Sequence, residues 1–340
     1  MDWALVVEWT IKSILMVLIL LAGFAWGTLY ERRLLARMQV RIGPNRTGPQ
    51  GLLQPVADGI KLIFKEELIP DKADKLIFFL APILTVVPAL VISGVVPWGT
   101  SITLFGRIIP LYLTDINLAV LYILTVTSIS IYGITLAGWS SNNKYAMMGG
   151  LRSTAQMISY ELALGLSFVS VTLLAGSMSL VDIVEAQGAH GILGWIIWNL
   201  SQPLGLIIFF IAGMAETNRS PFDMPEAEQE LTAGYSTEYS GMKFALFYMA
   251  EYIKIIAISM ITVTLFLGGY LGPFIDQLPW LGPIYLFIKT VIVIFVFIWV
   301  RATFPRFRYD RLMAFGWKVL LPLGFLNMFI AGIITVLRGG

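Results

Sequence analysis

Eight times along this chain an apolar run appears that is long enough to cross a bilayer. The runs are about Leu5–Tyr30, Leu76–Pro97, Ile116–Trp139, Ala155–Ala175, Ile192–Ala215, Phe244–Tyr270, Ile284–Val300 and Phe315–Leu337. A spanning helix needs roughly 20 apolar residues. Lipid offers no partner for backbone N–H and C=O groups, so such runs predict helices, which satisfy those groups internally. A membrane barrel would instead show short strands of alternating polarity, and the sequence has no such pattern. The expected fold class is an all-α membrane protein, with about eight transmembrane helices plus a short amphipathic interfacial helix after the first span. No linker or low-complexity stretch interrupts the pattern, so residues 1–340 read as a single polytopic membrane domain. Pro203 and Pro322 predict kinks or local breaks in the fifth and eighth spans. Composition agrees: 13% of residues are charged, about half the share of a soluble domain.

Several function classes are excluded. There is no cysteine and one histidine, His190. Disulfides, thiolate nucleophiles, cysteine-held iron–sulfur clusters and bis-histidine haem therefore have no ligands here. The chain carries no Walker A sequence, no GxGxxG, no HExxH and no GxSxG. Electron carriers, if redox chemistry is involved, lie on other chains or on a diffusing ligand. The first 30 residues are long enough to span and run into Glu31-Arg32-Arg33 without a cleavage pattern, so they read as a helix and not as a signal peptide.

Charge sets the orientation. Of 23 Lys and Arg residues, eighteen follow spans one, three, five and seven, whereas the opposite side carries only Arg107 and Arg338. Cationic loops stay on the cytoplasmic side. Both termini are then expected outside, and the loops after spans one and five inside. Lys12, Lys254 and Lys289 fall within spans.

Four features carry candidate chemistry. After the first span, ERRLLARMQVRIGPNRTGPQGLLQPVADGIKLIFK combines a cationic stretch, a Gly/Pro turn and an apolar stripe at 52, 53, 56, 60, 63 and 64. The stripe predicts an amphipathic helix over about Leu52–Lys65, lying in the interface plane. A plain topology anchor accounts for the cations but not for the turn, Glu31 or Asp58. Within the spans, Glu161 and Glu251 sit roughly 10 Å deep at 1.5 Å per residue, with Glu216 at the inner end of the fifth span and Tyr160 and Tyr252 beside them. A charge at the bilayer centre costs at least about 2.5–3.5 kcal/mol on insertion scales, so such groups face a cavity or a partner. The structural alternative is local pairing, for instance Glu251 with Lys254 at i, i+3; Glu8 with Lys12 reads as such a pair. The connection AETNRSPFDMPEAEQELTAGYSTEY gathers six carboxylates (Glu216, Asp223, Glu226, Glu228, Glu230 and Glu238) against one cation, Arg219. Crowded carboxylates repel and some retain protons, which makes the stretch a candidate proton reservoir, with a solvated surface loop as the alternative. Finally, RATFPRFRYDRLMAFGWK places five cations among aromatics, fitting a headgroup anchor or a docking surface. Lys289 is expected to snorkel, and His190 to be a polar loop residue.

Three stretches carry a resemblance: the ERRLLARMQVRIGPNRTGPQGLLQPVADGIK segment, LRSTAQMISYE, and AETNRSPFDMPEAEQELTAGYSTEYSGMKFALFYMAEY. They resemble the H-type membrane subunits of respiratory complex I, a family that includes subunit 1 of the mitochondrial enzyme, over essentially the whole chain. The resemblance implies a subunit of a proton-translocating NADH:quinone oxidoreductase in a bacterial inner membrane, at the junction of its hydrophilic and membrane arms, with no independent activity. It implies that Glu31, Arg32, Arg41, Arg46, Asp58 and Phe222 shape the quinone chamber, and that the amphipathic helix frames its lipid-side entrance. Glu161, Glu216, Glu226, Glu228 and Glu251 would form the proton path. No cofactor is expected on this chain; a quinone such as ubiquinone is the substrate, with FMN and iron–sulfur clusters on partner subunits. The alternatives are a membrane subunit of a related energy-converting hydrogenase, a proton-coupled transporter, and a passive anchor for hydrophilic subunits. The last explains the basic loops but not the buried acids.

Overall fold

The computed structural model describes residues 3–104, 107–188, 191–224, 233–275 and 277–337. Helices dominate: α1 (Trp3–Met38), α2 (Gln54–Ile63), α3 (Lys75–Ile92), α4 (Ala119–Ser140), α5 (Lys144–Ala175), α6 (Leu180–Gly188), α7 (Gln202–Glu216), α8 (Gly241–Phe266), α9 (Gly282–Thr303), α10 (Tyr309–Phe315) and α11 (Leu321–Leu337). A small antiparallel hairpin of β1 (Ser101–Leu104) and β2 (Arg107–Pro110), with Ser101 opposite Pro110, adds to the expected helices. The all-α membrane architecture holds: seven helical stretches among the described residues are long and apolar enough to cross a bilayer.

The fifth expected span differs. Its first third, from Gly191 to Trp198, forms 3₁₀ turns, and only Gln202–Glu216, 15 residues, is α-helical. That is about 22 Å of helix, short of the ~30 Å core. Pro203 does not kink this helix; it occupies the first turn, where its missing N–H costs nothing. Pro322 does mark a local break: it follows a π turn, Gly316–Leu320, that joins α10 to α11. The expected amphipathic helix is present as α2, slightly shorter at each end than its apolar stripe.

Two prolines inside α3, Pro82 and Pro88, leave the helix continuous. Pro82 has no N–H to give the carbonyl four residues back. The Tyr239 hydroxyl donates to that freed Phe78 carbonyl at 3.3 Å, and the Tyr239 ring stacks on Phe78 with centroids 4.0 Å apart. Burial pushes the Tyr239 phenol up to about 12, so it keeps the proton it donates. Rescue of freed backbone groups by neighbours is what makes intramembrane proline tolerable.

Helices α3, α4 and α5 pack in sequence, α5 also contacts α7 and α11, and α8 lies among α1, α3, α7 and α9. Between helices in lipid there is no net hydrophobic drive, so close approach through small residues matters. Helix α1 meets α8 through Gly23 and Gly27, whose Cα faces lie against Ile256 and Tyr252. The remainder of α1 is largely exposed. A peripheral α1, touching α8 along this glycine stripe and burying Leu20 against α3 and α8, leaves a cleft between α1, α8 and α9.

The start of α5 rests on a 3₁₀ turn, Gly234–Ser236, just before α8. A Cβ on Gly149 would stand 2.8 Å from Gly234 Cα and from the Tyr235 nitrogen, both backbone. Gly149→Val is therefore expected to destabilise the protein by about 1–3 kcal/mol, read as a lower thermal unfolding midpoint in detergent. Gly59→Ala in α2, where no atom lies within 4 Å, should leave the midpoint unchanged or raise it.

Candidate functional site

Four chain segments distant in sequence meet at one place. Glu31 comes from the C-terminal part of α1, Arg219 from the turn after α7, and Arg301 from the last turn of α9. Glu251 and Tyr252 come from α8. The Arg301 guanidinium donates to Glu31 Oε1. Arg219 lies 2.7 Å from Glu251 Oε1 through Nε and 3.6 Å from Glu31 Oε1 through Nη1. Tyr252 Oη donates to Glu31 Oε2 at 2.8 Å, while Arg219 lies over its ring, 4.5 Å from the centroid. Glu31 and Arg219 are 5% and 6% exposed, so these charges are out of water and compensate one another. Burial works against the Arg219 charge, but the Glu251 carboxylate together with Tyr252 and Tyr248 outweighs it and holds the guanidinium above its usual value. Arg219 Nη2 has no hydrogen-bond partner among the described residues.

This network closes one end of the cleft between α1, α8 and α9. The cavity measures about 540 Å³ and is lined almost entirely by apolar side chains, including Trp26, Ile256, Ile294 and Phe297. Its polar wall consists of Glu31, Tyr30, Arg219, Tyr252 and Arg301. On α9 the lining runs from Pro283 to Arg301, about 27 Å at 1.5 Å per residue. The volume falls in the range of small-molecule sites, and an apolar slot with a few convergent polar groups is their usual form. An amphipathic ligand with a polar head and a long apolar tail suits this shape.

Behind the network lies a second group of charges. Glu216, 2% exposed, sits at the C-terminus of α7, and its Oε1 has no hydrogen-bond partner among the described residues. Lys254, 4% exposed, donates to Ser130 Oγ at 2.6 Å. Glu161 on α5 accepts from Ser128 and, at 3.5 Å, from Thr127. Glu216 and Lys254 both line two small cavities: one of about 20 Å³ reaches Glu251, and one of about 10 Å³ reaches Thr127. Each has room for about one water. The polar groups thus form a file from the cleft through Glu251 and Glu216 towards Glu161.

The structure brings four of the expected residues, Glu31, Glu161, Glu216 and Glu251, into this file. It places others elsewhere. Arg32 and Asp58 pair with each other at 2.6 Å, tying α2 to α1 on the surface. Asp58 is half-buried, and Gln54 also donates to it at 3.1 Å. Arg41 is exposed and bonds Gln39; Arg46 is exposed. Phe222 is buried between Tyr160 and Phe307, with centroids at 5.5 and 6.0 Å, and does not line the cleft. Tyr160 donates to the Leu312 carbonyl and is a core residue. Glu226, Glu228, Glu230 and His190 lie outside the described residues.

The acidic connection is not a cluster among its described members. Glu216 turns into the file, Asp223 pairs with Arg306 at 2.7 Å, and Glu238 accepts from Asn143 at 2.7 Å. Two of the five cations expected to anchor or dock, Arg301 and Arg306, therefore serve as partners of buried acids. Lys289 does not snorkel. It donates to the carbonyls of Leu267, Gly269 and Leu271, which the left-handed Gly268 and Gly269 free at the end of α8. Glu8 and Lys12 pair at 2.5 Å as expected. No sequence motif singles out Arg301 or Lys254 for the site; an isolated cation at the end or inside of an apolar run is the available signal.

Comparison with known proteins follows the same direction. The family described as NADH dehydrogenase matches residues 11–332. The chain is 51% identical to an NADH-quinone oxidoreductase subunit of the H type from Thermomicrobium roseum, covering 99% of this chain and 98% of that one. It is 51% identical to the corresponding NADH-quinone oxidoreductase subunit of Protochlamydia amoebophila, over 92% and 93% of the two chains. With the corresponding subunit of Deinococcus deserti the identity is 52%, over 98% and 86%.

Removing one partner of a buried ion pair leaves an uncompensated charge, at about 3–5 kcal/mol. Arg219→Met should therefore lower the thermal unfolding midpoint strongly. Arg219→Lys should fall between, since an ammonium lacks the fork that serves two carboxylates. An Arg219→Met protein that melts with the wild type would show that Glu31 and Glu251 do not depend on this cation.

Proposed function

The chain belongs to the NADH dehydrogenase family, and from that premise we propose that it is the H-type membrane subunit of a proton-translocating NADH:quinone oxidoreductase. The observation that carries the reading is the apolar cleft ending on the Glu31–Arg219–Glu251–Arg301 network, with the carboxylate file behind it. Quinone is the substrate: its isoprenoid tail matches the long apolar lining, and its head matches the polar wall. This chain holds no redox cofactor in this reading, and FMN and iron–sulfur clusters belong to partner subunits that deliver the electrons.

Residues 1–340 act as one polytopic membrane domain, in a bacterial inner membrane with both termini outside. Helix α2, held by the Arg32–Asp58 pair, flanks the lipid-side entrance. Arg41 and Arg46, exposed on this chain, contribute to the chamber where the hydrophilic subunits close over it, together with the loop that Phe222 anchors. Reduction of quinone to quinol takes up two electrons and two protons. A change in charge at the polar wall is felt first by Glu31 and Glu251, because Arg219 contacts both and a low-dielectric surrounding strengthens the interaction. From Glu251 the disturbance reaches Glu216 and Glu161, and Glu226 and Glu228 complete the proton path.

The test is coupling. Glu161→Gln and Glu228→Gln in the intact oxidoreductase, reconstituted in vesicles, should lower the protons translocated per electron while the complex still assembles. Wild-type stoichiometry in both variants would remove these carboxylates from the path.

A further inference from the structure

Glu31 and Glu251 are matched by Arg219 and Arg301. Deeper in the file, Glu161 and Glu216 share a single cation, Lys254, and this imbalance has a consequence. Lys254 and Glu216 are the two residues that line both small cavities, so the pair forms the partition between the part of the file next to Glu251 and the part next to Thr127. Both side chains are more than nine-tenths buried. The groups facing the Lys254 ammonium are Ser130 and Thr127 from α4, Glu161 from α5, Glu216 from α7 and Glu251 on its own helix, with Tyr235 at the far side of the larger cavity. Glu161 and Glu216 also act on each other electrostatically. Glu216 and Lys254 are out of water and Glu161 is half-buried; two carboxylates around one ammonium are neutral only when one of them is protonated, and an uncompensated buried charge is strongly disfavoured.

We propose that Lys254 is a positioning residue that decides which of Glu216 and Glu161 holds one shared proton. The inference rests on the proton-path reading above and adds the cation to it. In one state the ammonium compensates ionised Glu161 through the Ser130 side, and Glu216 carries the proton. In the other it compensates ionised Glu216, and Glu161 carries the proton. Passage between them breaks the O–H bond on one carboxyl and forms it on the other, by way of the small cavity that Glu216 shares with Thr127, whose hydroxyl donates to Glu161. Lys254 keeps its own proton throughout, so no oxidant or further acid is needed. A negative charge arriving at Arg219 weakens its hold on Glu251, and Glu251 then draws the ammonium towards the Glu216 side.

The experiment uses the intact oxidoreductase in vesicles, with NADH and a short-chain quinone, and compares Lys254→Met, Lys254→Gln, Lys254→Arg and Glu161→Gln. Protons per electron and the pH profile of turnover are the readouts. An ammonium beside a carboxylate favours its charged form, by about one to three pH units for a close pair. The two neutral variants should therefore move the profile towards alkaline pH by about one unit and lose translocation, and Lys254→Arg should retain both properties. Neutral variants with a wild-type profile and stoichiometry overturn the proposal. So does failure of both neutral variants to assemble while Lys254→Arg is normal, which would make Lys254 a structural counter-ion. If Glu161→Gln uncouples the enzyme but Lys254→Met does not, the Lys254 assignment alone falls; normal coupling in both removes the acid file itself.

Discussion

A charge withdrawn from water must find its opposite, and the arrangement of this protein follows from that constraint. Arg219 is its centre. Its guanidinium reaches Glu251 and Glu31 and stacks over Tyr252, while Arg301 completes the compensation of Glu31. Helices α1, α8 and α9 and the turn after α7 are therefore tied at one end by ionic contacts. Along the rest of their length α1 and α9 are free to stand apart, because lipid-facing helices gain little from mutual apolar burial. The cleft is a product of this one-ended attachment.

Tyr252 links packing to charge. Its ring supports Arg219 and its hydroxyl serves Glu31. Two residues further along the same helix, Lys254 points to the opposite side, into the second charge group. Helix α8 thus presents Glu251 and Tyr252 to the compensated network beside the cleft and Lys254 to the carboxylates of α5 and α7. A single helix therefore carries ionisable groups on two faces, one at the polar wall and one in the second charge group.

The intramembrane carboxylates are legible because charge is conspicuous in an apolar run. Glu161, Glu216, Glu251 and Glu31 all stand out in the sequence and all lie in the file. Their partners do not stand out. Spacing suggests Lys254 for Glu251, whereas Glu251 meets Arg219 from another segment and Lys254 meets Ser130, 124 positions away. Arg301 is 270 positions from Glu31, a separation that no local pattern encodes. Phe222 looks available for binding, as an aromatic in a polar loop does. Its surroundings, Tyr160 and Phe307, make it a core anchor for the loop. The single anticipated proton reservoir resolves, among its described members, into Asp223 with Arg306, Glu238 with Asn143, and Glu216 turned away into the file.

Composition and periodicity by themselves determined that this chain is a bundle of membrane helices with an amphipathic helix after the first, because backbone groups in lipid have one economical solution and apolar length counts the crossings. They also determined that the few buried acids needed partners. Which cation meets which acid, the shortening of the fifth span, the internal capture of Lys289 and the cleft beside α1 were decided only by tertiary packing. The physical reason is that electrostatic and hydrogen-bond energies depend on distances of a few ångströms between helices, and those distances are set by how the helices lean together.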